Sequence, residues 1–96
     1  MRESPSGAAN PHGSTLLDGN VFGGNAYSSF VVPCDGAKVG DSVAYSFDPN
    51  VGSFGPVCVT SVGCSSNQVI FNVYNLSAAP YTVHNLNVYV EAIPAG

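Results

Sequence analysis

Gln68-Val69-Ile70-Phe71-Asn72-Val73-Tyr74-Asn75, QVIFNVYN at 68–75, is the stretch on which the fold turns. Val69, Phe71 and Val73 recur at every second position, and Ile70 and Tyr74 fall between them. Side chains of a strand alternate between faces, so a period of two predicts a β-strand. The β-branched and aromatic residues suit a pleated surface. The second face is also partly apolar, through Ile70 and Tyr74. A half-exposed sheet does not require that; a sheet face covered by another subunit does.

The same pattern extends outward. Asn85–Ile93, NLNVYVEAI, places Leu86, Val88, Val90 and Ala92 on one face and Tyr89 and Ile93 on the other, and Pro94 closes it. Pro56–Val62, PVCVTSV, is rich in β-branched residues, and Gly63–Asn67 reads as a polar hairpin connection. Further back, Val43, Tyr45 and Phe47 alternate with Ser42, Ala44 and Ser46 after a turn at Val39-Gly40-Asp41. Asp48-Pro49-Asn50 ends that strand, since proline cannot donate to a ladder. Residues 28–32 form a short strand stopped by Pro33, with Cys34-Asp35-Gly36 as a turn. The segment LSAAPYTVH (76–84) reads as a loop. No segment carries helical periodicity with caps. Short strands separated by Gly and Pro predict an all-β, antiparallel β-sandwich or jelly-roll-like domain over 28–96.

Residues 1–27 differ. They are dense in Gly, Ser, Asn and Pro, with apolar islands at Leu16-Leu17 and Val21-Phe22 and no sustained period. The expectation is an extended N-terminal arm whose islands anchor on a neighbouring chain. The competing reading folds the arm back as an edge strand of its own domain.

Composition narrows function. The chain has 96 residues, one domain's worth. Charged residues make up 8%, against about 25% in typical domains, and none lies between Asp48 and Glu91. A surface this neutral is more comfortable against other subunits. Arg2 and Lys38 are the sole basic residues and the net charge is −4, too little for phosphate contacts, so neither nucleic acid nor an anionic membrane is an expected partner. The opening Met-Arg-Glu-Ser-Pro-Ser-Gly lacks an apolar core, which predicts no secretory leader. Cys34, Cys58 and Cys64 form no Cys-x-x-Cys pair, so no zinc site is expected. Reduced, buried thiols are expected, with a Cys58–Cys64 bridge across a hairpin left open.

Catalytic readings are weak. Gly40-Asp41-Ser42-Val43 has the letters of a hydrolase nucleophile block, but a serine needs a base and the base an orienting partner. His12 lies in the arm, and Tyr81 stands three residues before His84, where an Asp would be needed. Asp41 and Ser42 therefore read as turn formers. Glu91 has no second carboxylate placed beside it, and His84 has no other ligand at metal spacing. No cofactor is expected, and no enzymatic activity. Asn75-Leu76-Ser77 matches the glycosylation pattern but reads as a turn without a leader.

From Phe30 to Ile93 the chain resembles a small β-sandwich module of bacteriophage virion proteins, found in fibre-like and capsid decoration proteins. The resemblance lies in VGDSVAYSF (39–47), VCVTSVGCSSNQVIFNVYNLS (57–77) and LNVYVEAI (86–93). That family's second hairpin strand commonly reads Val-x-Val-Arg-x-x-Asn-Val-Thr. Here Asn75 and Ser77 match, while Asn72 replaces the usual Arg and Tyr74 a residue that is often Cys. The resemblance implies a homotrimer on a virion, made in a host cytoplasm, and no catalysis.

Together these readings predict a trimeric capsid decoration or cement protein that contacts the major capsid protein or another virion protein. Leu16, Leu17, Val21 and Phe22 are the expected capsid-docking residues, and Tyr45, Tyr74 and Tyr89 the expected trimer contacts. Deleting residues 1–22 is then expected to leave a folded trimer. The alternative is a fibre or receptor-binding tip whose tyrosines contact host-surface glycans.

Overall fold

The computed structural model describes residues 10–48 and 54–95. Among the described residues the fold is all-β, with 59% in strands, no helix and antiparallel sheets. The described residues form eight strands: β1 His12–Leu17, β2 Val21–Phe22, β3 Tyr27–Pro33, β4 Ser42–Phe47, β5 Val57–Ser65, β6 Gln68–Asn75, β7 Tyr81–Thr82 and β8 Leu86–Ile93. The first sheet has the order β1-β8-β4 and the second β3-β6-β5, while β2 and β7 form a small ribbon. β1 runs beside β3 and β4 beside β5, so the two larger sheets approach each other along both edges.

The core follows the alternation. Val69, Phe71 and Val73 of β6 and Leu86, Val88, Val90 and Ala92 of β8 are buried in one cluster, joined by Phe30 and Val32. Phe30 and Phe71 stack with centroids 4.7 Å apart, and Tyr45 of the first sheet meets Phe71 edge-on at 5.2 Å. At about 25 cal/mol per Å² of apolar surface removed from water, burial of such side chains is the main favourable contribution to folding.

Four boundaries differ from the sequence reading. β5 runs on through Gly63, Cys64 and Ser65, so the hairpin connection shrinks to Ser66-Asn67. A bulge between Val59 and Ser61 interrupts the alternation of this strand. It inserts Thr60, so Val57, Val59, Val62 and Cys64 share the inner face despite broken alternation. The segment 76–84 is not all loop: Tyr81-Thr82 pairs with Val21-Phe22. Strand β3 takes in Tyr27 and Pro33, and Pro33 is its last residue.

The largest correction concerns the N-terminal segment. From His12 it is built into the domain as an edge strand, pairing His12 with Glu91 through to Leu17 with Leu86. Leu17 and Phe22 are 3% and 4% exposed, within the core. Gly13 permits this, because a Cβ there would overlap the Pro33 carbonyl of β3. Deletion of residues 1–22 would thus remove two strands and two core side chains. Residues 1–9 of the expected arm, and Pro49 and Asn50 of the strand-ending turn, lie outside the described residues.

Candidate functional site: the outer sheet faces

The turns fix what Asp41 and Ser42 do locally. Asp41 Oδ2 accepts the Lys38 amide at 3.1 Å, and the Asp41 amide donates to the Lys38 carbonyl at 3.1 Å. Gly40 supplies the positive φ of 96° that this turn demands. Ser42 opens β4 opposite Ile93 and is exposed. His12 sits two strands away from β4 in the neighbouring row, about 10 Å in strand spacings, and its Nδ1 lies 3.3 Å from the Asn10 carbonyl. His84 lies 3.7 Å from Asp18 at the opposite end of β8 from Ile93. The Ser–His–Asp elements are therefore not brought together.

Asn75 ends β6 and is the one buried polar side chain among the described residues. Its Nδ2 donates to the Phe22 and Ala79 carbonyls at 3.0 and 3.1 Å, and its Oδ1 accepts the Ser77 amide at 2.8 Å. The glycosylation-pattern asparagine is thus spent on a corner that joins β2, β6 and the 77–79 bend. This agrees with its reading as a turn residue.

The three cysteines do not meet as a bridged pair. All are free thiols. Cys58 and Cys64 lie on the same strand, opposite Tyr74 and Val69, so no hairpin folds one onto the other. Cys34 is buried and Cys64 half-buried, but Cys58 is exposed, against the expectation of buried thiols. Burial pushes the Cys34 thiol above its ordinary value, and nearby Asp35 and Asp41 push the same way, while a hydrogen bond with the Ala92 backbone opposes them. Burial also raises Cys64, followed by the charges of Asp41 and Cys34. Among the described residues no three His, Cys, Asp or Glu gather as a metal site. Nor does any described helix have the length and apolarity to cross a membrane.

What remains is surface. The outer face of the first sheet carries Leu16 of β1, Tyr89, Glu91 and Ile93 of β8, and Ala44 and Ser46 of β4. An open groove of about 420 Å³ lies there among His12, Tyr45, Tyr89 and Glu91, and Asn10 Nδ2 donates to Glu91 Oε2 at 2.8 Å beside it. The outer face of the second sheet carries Tyr27 and Tyr74 as a ring pair 4.7 Å apart, with Val31, Ile70 and Cys58.

The expected site residues divide between these places. Of the four docking residues, Leu16 and Val21 are exposed; Leu17 and Phe22 face the core and are unavailable. Alternation within each apolar pair is the cause, since adjacent strand residues point to opposite faces. The three tyrosines do not converge on one face. Tyr74 is on the outside of the second sheet and Tyr89 on the outside of the first. Tyr45 shares the inner side of β4 with Val43 and Phe47 and packs on Phe71 from the rim. The sequence offers Tyr27 as a surface tyrosine but not its pairing with Tyr74; that pairing comes from the strand register, which no single strand carries. No family model, curated protein or solved structure matches the chain.

Proposed function

We propose that this chain is a structural virion protein: a small β-sandwich with jelly-roll-like character that trimerises and decorates or cements a bacteriophage capsid. The observation that carries the reading is the amount of apolar surface on a chain so poor in charge. Leu16, Val21, Tyr27, Val31, Leu76 and Tyr89 are all more than 40% exposed. A lone soluble domain gains nothing from that surface; a subunit of an assembly covers it. Docking on the capsid falls to Leu16 and Val21, the exposed members of their pairs. Three subunits engaging one lattice raise avidity by about 10²–10⁴ over one.

A second reading, a fibre or receptor tip contacting host-surface glycans, draws on the groove of the first sheet. Its tyrosine rings, carboxylate and imidazole are groups that stack on and hydrogen-bond to sugars. Quantitative mass spectrometry of purified particles separates the two. Copies in the hundreds per virion support decoration, and a handful per virion supports the tip. In the first case, a Leu16→Asp, Val21→Asp double variant is expected to stay folded and lose at least about tenfold in capsid occupancy. Occupancy equal to the parent protein would overturn this docking assignment.

A further inference from the structure

We propose that the outer face of β3-β6-β5 is the surface through which copies of this chain associate, so that in the assembly this face looks toward the shared axis. The inference rests on the self-association proposed above and assigns its face.

Charge is the first support. The described acidic residues lie elsewhere: Asp18 after β1, Asp35 and Asp41 in the turns between β3 and β4, Asp48 after β4, and Glu91 on the outside of the first sheet. Every described side chain that β3, β6 and β5 present outward is uncharged. Each copy carries a net charge of −4. Copies that meet through the first sheet would bring Glu91 carboxylates together, whereas this face brings none. Like charges placed across an interface cost several kcal/mol, so their absence selects among the available faces. Two copies of this acidic chain can meet on this face without opposing carboxylates, so a second copy is the occupant that the charge pattern fits.

Hydrogen bonding is the second support. Part of the polar row across the middle of the face, formed by Thr60, Ser61 and Asn72, is already paired within the chain. Thr60 Oγ1 donates to the Asn72 carbonyl at 2.9 Å, and Asn72 Nδ2 donates to Ser61 Oγ at 2.9 Å. Burying satisfied groups avoids the penalty of stripping water from unpaired ones. Apolar rows flank this one on both sides: Tyr27 with Tyr74, and Val31 with Ile70. Three strands about 4.8 Å apart and seven residues at about 3.3 Å give a footprint of about 330 Å² per copy, in the range of weak, transient interfaces. Such an association should weaken on dilution, which makes it measurable. Tyr74 belongs to this interface, and Tyr45 and Tyr89 do not.

The test is sedimentation equilibrium of the full chain over a dilution series, with Val31→Lys, Ile70→Lys and Tyr89→Lys alongside. The parent protein and Tyr89→Lys are expected to associate. Val31→Lys and Ile70→Lys are expected to sediment as single chains where the parent is assembled, a loss of at least about 100-fold in self-affinity. If a lysine variant unfolds, the parent protein still decides through Cys58. Its alkylation rate should fall as the chain assembles, because it sits at one end of this face. Association that survives both lysines at Val31 and Ile70, or a Cys58 rate that ignores assembly, overturns the face while leaving self-association standing. A parent protein that stays a single chain at the highest attainable concentration overturns both.

Discussion

The two three-stranded sheets are built from different kinds of partnership. In the second sheet, β5 and β6 are a hairpin joined by Ser66-Asn67, and the centre is aromatic, with Phe71 stacked on Phe30. In the first sheet, β8 is aliphatic and its partners come from far along the chain: His12 pairs with Glu91 and Ser42 with Ile93. Closing such distant pairs costs chain entropy that a two-residue hairpin avoids. The β5–β6 hairpin is therefore the part that can form early and locally, while β3 and the first sheet are completed when distant segments arrive. The connection between them depends on a few fitted points, and these are where the contrast can be tested.

The largest effect is expected at Asn75, the corner that ties the hairpin sheet to the N-terminal segment. Asn75→Ala leaves the Phe22 and Ala79 carbonyls and the Ser77 amide without their partner, a loss of about 2–3 kcal/mol. Asn75→Asp sets a buried carboxylate against those two carbonyls and should cost about 3–5 kcal/mol at neutral pH. Urea unfolding followed by circular dichroism measures both. If the aspartate variant lost less than the alanine variant, the corner would not be the tie between the sheets.

Next comes Gly13, where β1 lies against β3. Gly13→Ala forces a Cβ into the Pro33 carbonyl, so β1 must shift, at about 1–3 kcal/mol. The damage should be unequal. Amide exchange should accelerate in β1 and its partner β8, while the β5–β6 hairpin keeps its protection. Uniform acceleration across both sheets would mean that they open as one unit and that the contrast has no energetic content.

The same contrast explains which parts of the fold were legible in the sequence. Strands β6 and β8 stood out because each has a buried face with unbroken alternation, Val69-Phe71-Val73 and Leu86-Val88-Val90-Ala92. β1 was legible only as the competing reading, an edge strand of its own domain with no bounds. His-Gly-Ser-Thr-Leu-Leu has little β character of its own; its pairing is supplied by β8, and its close approach by the absence of a side chain at Gly13. β2 and β7 are two residues each, too short for any period. The bulge at Thr60 hid the inward Cys64 by shifting the alternation one place. For the surface, single strands reveal which residues face out, but only the register brings Tyr27 beside Tyr74 or separates Tyr89 from it. Leu17 and Phe22 looked like docking residues because an apolar pair without a visible period gives no hint of which member turns inward.

The smallest effect is expected at the seam where β3 leaves the second sheet and meets β8 of the first. Cys34 is fully buried there, its amide donating to the Asn67 carbonyl at 3.1 Å. Burial, chiefly, holds its thiol above the ordinary value of 9.0. Above pH 9.0 the unfolded chain releases that proton while the folded chain retains it. The folded state then binds more protons, so stability must fall as pH rises through that range. The slope from one such thiol cannot exceed about 1.4 kcal/mol per pH unit. Cys34→Ala should flatten the decline in the urea midpoint between neutral and alkaline pH, and the residual slope belongs to Cys64 and other groups that titrate there. A decline that Cys34→Ala leaves unchanged would show that the seam does not shelter its thiol, and the distinction between buried junction and exposed sheet would fail at its most sensitive point.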